Sequence, residues 1–494
     1  MKGTGTRTRT GTGTSRSTSR SKSTSKGEGK GHSRAALGEY RAALDELYRL
    51  RLFGTKLGLN NIRRLLELLG NPERDLVFYH IAGTNGKGST AAILQRLLMT
   101  TRRRVGLFIS PHIDDFRERI RIGDRLISPR EAAAGVAEIL PLLDRVAESP
   151  GCSHPTYFEA VTALACRYFA RKRAGAVVWE VGLGGRLDAT NAVTPAVSVI
   201  TSIGLEHQKY LGNTIDRIAR EKGGIVKPGV PLVTAVPPGA ALDRLRRICR
   251  RHRAPLVEVG KLYRVRVVSG GPRGQALDVD GPRASRPGIF LPLPGRHQAG
   301  NLLAALAAWE QGDPRAAEIP LSRLKRALAD VFWPGRFEYF PGPPEAVLDG
   351  AHNRAAARVC ARTLKDLFPG RPVCLVIGIL GDKDAAGICR PFLPLVERVI
   401  AVTPPSSRAL PAARLARLIR GERGRRKIPV LVRKSLESAL GYCYRVPPSV
   451  GGKGGAAPVI CVTGSLRLIG PARRWLLGRV SENHPGGPGR RVNG

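Results

Sequence analysis

Short apolar, β-branched runs alternate with helically spaced stretches along most of this chain, and that order leaves few folds open. Leu76 to Ile81 is such a run; it ends in glycines, and a helical pattern begins after Lys87. Val105 to Ile109, Ala176 to Val181, Val197 to Ile203 and Leu232 to Val236 repeat it, with helical spacing between them. Strands joined in this way lie parallel, because each intervening helix carries the chain back to the starting edge. The spacing therefore predicts an α/β domain with a mostly parallel sheet and helices on both faces. Leu44, Leu47 and Leu50, then Ile62, Leu65, Leu66 and Leu69, give helices before the first strand. Pro/Gly clusters and strand-like pieces such as Tyr263 to Val268 come later, and Leu291 to Gly295 reads as a linker. A smaller α/β region follows, with strands predicted at Ala346 to Leu348, Val373 to Ile379, Val399 to Val402, Val430 to Val432 and Val459 to Val462.

The predicted division is a basic tail at residues 1–34, a first domain at 35–294, a second at 295–482 and a frayed end at 483–494. The tail is Gly, Ser, Thr and basic residues with Met1 as its one large apolar side chain, so nothing in it offsets the entropy of folding. A transit peptide is also rich in Arg and Ser, but it needs an apolar helix face that is missing here. No uncharged apolar run approaches the roughly eighteen residues of a membrane span, so no membrane partner is expected. The eight cysteines, at 152, 166, 249, 360, 374, 389, 443 and 461, include no C-x-x-C pair, and several sit in apolar runs. That pattern predicts reduced, buried thiols in a cytoplasmic protein.

Charge raises a second reading. The 81 Lys and Arg exceed the 39 Asp and Glu by 42, an excess that favours phosphates and polyanions. Residues 1–34 carry nine Lys/Arg and one Glu, a net +8, which leaves +34 spread over the remainder. A diffuse excess is a compositional habit more than a nucleic-acid site, so no nucleic-acid partner is the primary expectation.

Four segments carry chemistry. HIAGTNGKGST, His80 to Thr90, is a strand end, a glycine turn, Lys87 and a helix start, which aims backbone N–H groups and a helix N-terminus at phosphate. It departs from G-x-x-x-x-G-K-[ST], because Ile81 stands at the first Gly and Gly88 follows the lysine; the bland alternative is a glycine turn with a solvated lysine. WEVGLGGRLDATN, Trp179 to Asn191, places Glu180 at a strand end, where open α/β sheets bind ligands; an ion pair with an arginine would also account for it. GLEH, Gly204 to His207, follows the next strand, so Glu180 and His207 can converge on one metal. DGAHN puts Asp349 and His352 after a strand of the second region. By itself EKGGI, Glu221 to Ile225, is a solvated helix end.

Taken together these segments resemble the Mur-ligase-like family, and within it the folylpolyglutamate synthase and dihydrofolate synthase group. From Phe53 to Gly470 the resemblance includes FGTKLGLNNIRRLLELLGNP, HIAGTNGKGST, ISPHIDDFRERIRI, TYFEAVTAL, EVGLGGRLDATN, ITSIGLEH, IAREKGGIVKPG, LPGRHQAGN, WPGRFE, LDGAHN, GDKD and VTGSL, in family order. It implies a P-loop ATPase domain followed by a Rossmann-like domain. The activity implied is ATP-dependent ligation of L-glutamate to dihydropteroate, to the γ-carboxylate of a folate, or to both, through an acyl phosphate, by a monomer. ATP contacts map to Thr84, Asn85, Gly86, Lys87, Gly88 and Ser89, with Asn301, Arg336 and Asp349 from the second domain. Magnesium ligands map to Ser110, Glu180, His207 and Lys222, the last as a carbamate; His352 is expected to assist the chemistry with Lys87 and Lys222. The acid substrate maps to Leu57 and Gly58, to Thr156, Tyr157, Phe158 and Glu159, and to Leu187, Asp188 and Ala189. Two positions depart from the family's usual residues: Glu206 stands for Asp, and Gly223 for Ala. Another Mur-type amino-acid ligase, and a nucleotide-regulated nucleic-acid-binding protein using the basic tail, are the alternatives.

Overall fold

The computed structural model describes residues 25–54, 56–102, 104–424, 427–445 and 457–483. The remainder of the expected basic tail, residues 1–24, and the frayed end beyond 483 lie outside the described residues. The first helix, Ser25–Arg49, takes in the last ten residues assigned to that tail.

The first sheet has eight strands. They are β1 (Phe78–Ala82), β2 (Val105–Phe108), β3 (Ile120–Ile122), β4 (Arg125–Leu126), β5 (Ala176–Glu180), β6 (Val197–Ile200), β7 (Leu232–Thr234) and β8 (Leu256–Glu258), in the order β4-β3-β2-β5-β1-β6-β7-β8. The six strands from β2 to β8 pair in parallel, and β3 and β4 add an antiparallel edge. Both faces are covered, which is why the strands read as unbroken apolar runs. Tyr79 and Ile81 of β1 point into one core layer with Val178 of β5, while Phe78 and Trp179 point into the other. The helix Ser25–Arg49 lies against the helix Pro129–Ala147 on that second face.

A three-stranded antiparallel sheet follows: β9 (Arg264–Gly271), β10 (Gly274–Asp280) and β11 (Ser285–Leu291). A buried trio fastens it to the helix His297–Gly312: Arg286 Nη2 reaches Glu310 Oε1 at 2.5 Å, and Tyr263 Oη donates to Glu310 Oε2 at 2.5 Å.

The first domain does not end at residue 294. Leu302 to Trp309, Leu324, Leu328, Val331 and Trp333 belong to the same core layer as Tyr79 and Ile81. The helix His297–Gly312 packs on the helix Lys87–Met99, so the apolar stretch after the Leu291–Gly295 turn completes the first core. The second sheet then comprises β12 (Glu338–Phe340), β13 (Ala346–Leu348), β14 (Val373–Ile377), β15 (Val396–Ala401), β16 (Val430–Val432) and β17 (Val459–Thr463), ordered β12-β13-β17-β14-β15-β16. It is parallel except for β12. Among the described residues no helix is long and apolar enough to cross a membrane, and all eight cysteines are free thiols, Cys152 alone being only partly buried.

Candidate active site at the meeting of the two domains

The adjacent central strands β5, β1 and β6 end at the same edge, and their register sets Ile81 beside Glu180 and Ala82 beside Ile200. The loop after β1 is tied to the end of β6 by residues that sequence patterning did not single out. Thr84 N–H donates to Ser202 O at 2.8 Å, Asn85 N–H to Ser202 Oγ at 2.9 Å, and Thr201 Oγ1 to Asn85 O at 2.7 Å. Gly86 turns the chain with φ +90°, a conformation that disfavours side chains, and a Cβ there would lie 2.5 Å from Asn301 Oδ1. The helix Lys87–Met99 starts next, and a Cβ on Gly88 would lie 2.7 Å from the Trp333 indole nitrogen. Ser89 is buried in the first turn. Lys87 folds back over the loop, donating from Nζ to Gly83 O at 2.9 Å and Thr84 O at 3.4 Å.

Lys87 is the common electrostatic neighbour of Glu180, Glu206, His207 and Lys222. Burial raises the Glu180 carboxyl above its ordinary range, opposed by Lys87, by the Ser110 N–H that donates to Oε2 at 3.0 Å, and by Arg336. His207 sits at φ +50° before a short turn of helix; burial pushes it down to about 4 against the pull of Glu206. Lys222, near the end of the helix Ile215–Gly223, is buried, and burial with the Lys87 charge lowers it to about 7. The EKGGI segment thus splits: Glu221 pairs with Arg186 at 3.1 Å, as a solvated helix end would, while Lys222 faces inward.

The donor set fits a hard cation in part. Glu180 and Ser110 offer oxygen and His207 nitrogen, whereas an ammonium at Lys222 does not fit unless it is converted into an oxygen donor. Among the described residues no group of three His, Cys, Asp or Glu side chains is placed to hold a metal. A buried carboxylate beside one N–H donor is the feature that calls for a balancing cation.

The second domain contributes DGAHN. Asp349 accepts Phe337 N–H and Ala351 N–H, each at 2.9 Å; burial raises its carboxyl, and Arg336 opposes this. Arg336 Nη1 donates to Gly335 O at 3.1 Å. His352 and Asn353 reach the first domain, where Asn353 Nδ2 donates to Asn85 Oδ1 at 3.0 Å.

The acid-substrate segments are brought together unevenly. Gly58 N–H donates to Leu187 O at 3.4 Å, joining two of them, and Leu57 is exposed beside that turn. The side chains of Thr156 and Glu159 satisfy each other in a capping box, with Thr156 N–H and Oγ1 donating to Glu159 Oε2 at 2.7 and 2.9 Å. Asp188 is likewise spent locally on Leu183 N–H and on Thr190 N–H and Oγ1. The side-chain oxygens of these three are thus engaged in local hydrogen bonds that fix the turns carrying them. Ala189 is buried behind Asp188, and the Phe158 ring tilts against Phe108. Tyr157 differs, because its hydroxyl is buried with no hydrogen-bond partner among the described residues.

Sequence reasoning missed Arg119. Its guanidinium is buried, donates to His112 Nδ1 at 2.9 Å and lies over the Tyr157 ring at 5.6 Å, with no carboxylate partner among the described residues. Arg51 and Arg467 add their charges to the same neighbourhood. Burying a cation is costly unless a negative charge balances it. Its only sequence signal was the arginine-rich FRERIRI, in a chain where arginine is common everywhere.

The Mur ligase middle domain matches residues 81–309, and the Mur ligase, glutamate ligase domain matches residues 335–446. A Bacillus subtilis dihydrofolate synthase/folylpolyglutamate synthase is 38% identical over 333 residues, 67% of this chain and 77% of that protein. A Mycobacterium tuberculosis folylpolyglutamate synthase structure complexed with ADP superposes with a TM-score of 0.81 at 32% identity, covering 88% of this chain and 99% of that one. The E. coli FolC structure in complex with DHPP and ADP gives a TM-score of 0.76 at 27% identity, covering 89% and 98%. With both domains matched and the P-loop, Glu180 and DGAHN meeting in one cleft, the chain belongs to the folylpolyglutamate synthase and dihydrofolate synthase family of Mur-type ligases.

Proposed function

We propose that the protein ligates L-glutamate to dihydropteroate, to the γ-carboxylate of a folate, or to both, using ATP. The observation that carries this reading is the convergence of a phosphate-binding loop and a buried arginine, Arg119, with no carboxylate partner among the described residues, on Glu180. A carboxylate is a poor acyl donor, so amide formation in water needs activation. Transfer of the γ-phosphoryl group to the carboxylate oxygen breaks the bond between the γ-phosphorus and the bridging oxygen, releases ADP and leaves an acyl phosphate. Attack by the glutamate amine on the acyl carbon then expels phosphate, and the amine's proton leaves with solvent or a nearby base.

Lys87 and the N–H groups of Gly86 to Gly88 hold the phosphates and stabilise charge on the transferring group. Asn301, Arg336 and Asp349 hold the nucleotide from the other side, and His352 sits beside the transfer. Ser110, Glu180, His207 and Lys222 are the proposed magnesium ligands. Magnesium supplies charge neutralisation of the phosphates when bound. Lys222 joins this set as a carbamate, formed when its neutral amine attacks CO2 and loses a proton; the burial that lowers it to about 7 supplies that amine. Arg119 and Arg467 receive substrate carboxylates, and Tyr157 offers its hydroxyl to the acid. The enzyme works as a cytoplasmic monomer.

Purified protein supplied with ATP, magnesium, L-glutamate and either dihydropteroate or tetrahydrofolate tests the reading, with ADP release followed for each acid. Acid-dependent ADP release is expected with at least one of the two. Release with neither would overturn it.

A further inference from the structure

Glu206 stands two residues beyond Gly204, on the first domain's side of the cleft, and reaches His352 and Asn353 of the second domain. Its side chain is 7% exposed; Oε1 lies 3.4 Å from His352 Nε2 and accepts from Asn353 Nδ2 at 3.4 Å, with His207 Nε2 at 3.6 Å. Asn353 and Asn85 pair their side-chain amides in both directions, at 3.0 and 3.4 Å. Each partner is fixed within its own domain. Asn353 Oδ1 caps the helix Arg354–Leu367 by accepting Ala356 N–H at 2.9 Å, the His352 Nδ1–H donates to Gly350 O at 2.8 Å, and Asn85 is bound to Ser202. A contact between two anchored groups fixes the relative placement of the bodies that carry them.

The length of the side chain matters. An aspartate would withdraw the carboxylate by one C–C bond, about 1.5 Å, which takes both 3.4 Å contacts out of hydrogen-bond reach. Asp114 and Arg474 form an ion pair between the domains at a separate place, so closure does not hang on Glu206 alone.

We infer that Glu206 is a positioning residue: with His352, Asn353 and Asn85 it latches the second domain onto the P-loop domain and sets both halves of the nucleotide site together. The inference rests on the ligase reading for what the closed cleft achieves, whereas the latch itself concerns domain closure and nucleotide binding. A nucleotide that touches both domains binds the closed arrangement, so its apparent affinity falls with the closed fraction.

The test uses the full chain with a non-hydrolysable ATP analogue, in Glu206→Asp, Asn353→Ala and the double variant. Each single variant should bind the analogue about tenfold more weakly, the weakening expected from losing one charge-assisted hydrogen bond of ordinary strength. The double variant should stay within about twofold of the weaker single one, because both break one latch. Small-angle scattering of the analogue-bound singles should show a larger radius of gyration than wild type. In turnover, the KM for ATP should rise more than kcat falls. Asn353→Ala sits outside the proposed metal ligands, so its magnesium affinity without nucleotide should match wild type, which separates a latch defect from a metal defect. Independent, multiplying losses in the double variant, wild-type analogue affinity in Glu206→Asp, or weaker binding with unchanged scattering would overturn the latch. Analogue binding and scattering are read without folate, so failure of the ligase assay leaves this result distinct.

Discussion

Replacing Lys222 with methionine should stabilise the unliganded protein while ending turnover. Lys222 is 3% exposed, and burial, reinforced by the Lys87 charge, brings it from 10.5 to about 7 against the attraction of Glu206 and Asp188. At about 1.4 kcal/mol per pH unit, a drop of that size makes the buried ammonium cost on the order of 3–5 kcal/mol. Because the folded value lies below the unfolded one, the folded chain holds fewer protons between about pH 7 and pH 10.5, and stability rises with pH through that window. The full penalty is present below the folded value and is gone above the unfolded one. Methionine keeps nearly the same length without the charge, so Lys222→Met should gain about 3 kcal/mol at pH 6, with the advantage shrinking toward pH 10. Denaturant titrations in CO2-free, metal-free buffer, followed by tryptophan fluorescence and far-UV circular dichroism, read this directly. Bicarbonate added at neutral pH should stabilise wild type and leave the variant unchanged. A variant less stable than wild type at pH 6, or a gap that stays constant from pH 6 to pH 10, would refute the reasoning.

Lys87→Ala should lower ADP release by about a hundredfold or more, since the lysine acts on charge in transfer, with unchanged circular dichroism because its partners are loop carbonyls. Gly86→Ala forces a side chain into φ +90° and against Asn301; strain of about 1–3 kcal/mol should appear as a raised KM for ATP in steady-state kinetics. Arg286→Met leaves Glu310 buried without its cation and should cost about 3–5 kcal/mol in denaturant unfolding of the first domain. Adding Glu310→Leu should recover much of that loss.

Patterning alone determined a good deal of this protein. Alternating apolar runs and helical spacing located every parallel strand that carries the site, β1, β5, β6 and β13, because a strand covered on both faces must be apolar throughout. Glycines before Lys87, and acids or histidines just past strand ends, were legible because those positions lie at one sheet edge in any such fold. Patterning could not place the domain boundary, since the helix His297–Gly312 looks the same in sequence whichever core it completes, and only packing against the helix Lys87–Met99 assigns it to the first.

The roles of individual polar side chains also waited for the tertiary structure. That the side chains of Thr156, Glu159 and Asp188 are engaged by short local hydrogen bonds is visible only in the folded chain. Lys222 looks solvated, yet its helix turns it inward beside Lys87. Arg119 is one arginine among many until burial without a carboxylate partner among the described residues sets it apart. Asn85, Glu206 and Asn353 meet only because two independently anchored domains close on each other, across 147 and 268 residues of chain. Burial and pairing are properties of the three-dimensional surroundings, and no local spacing encodes which polar group will find its partner nearby and which is left for a ligand.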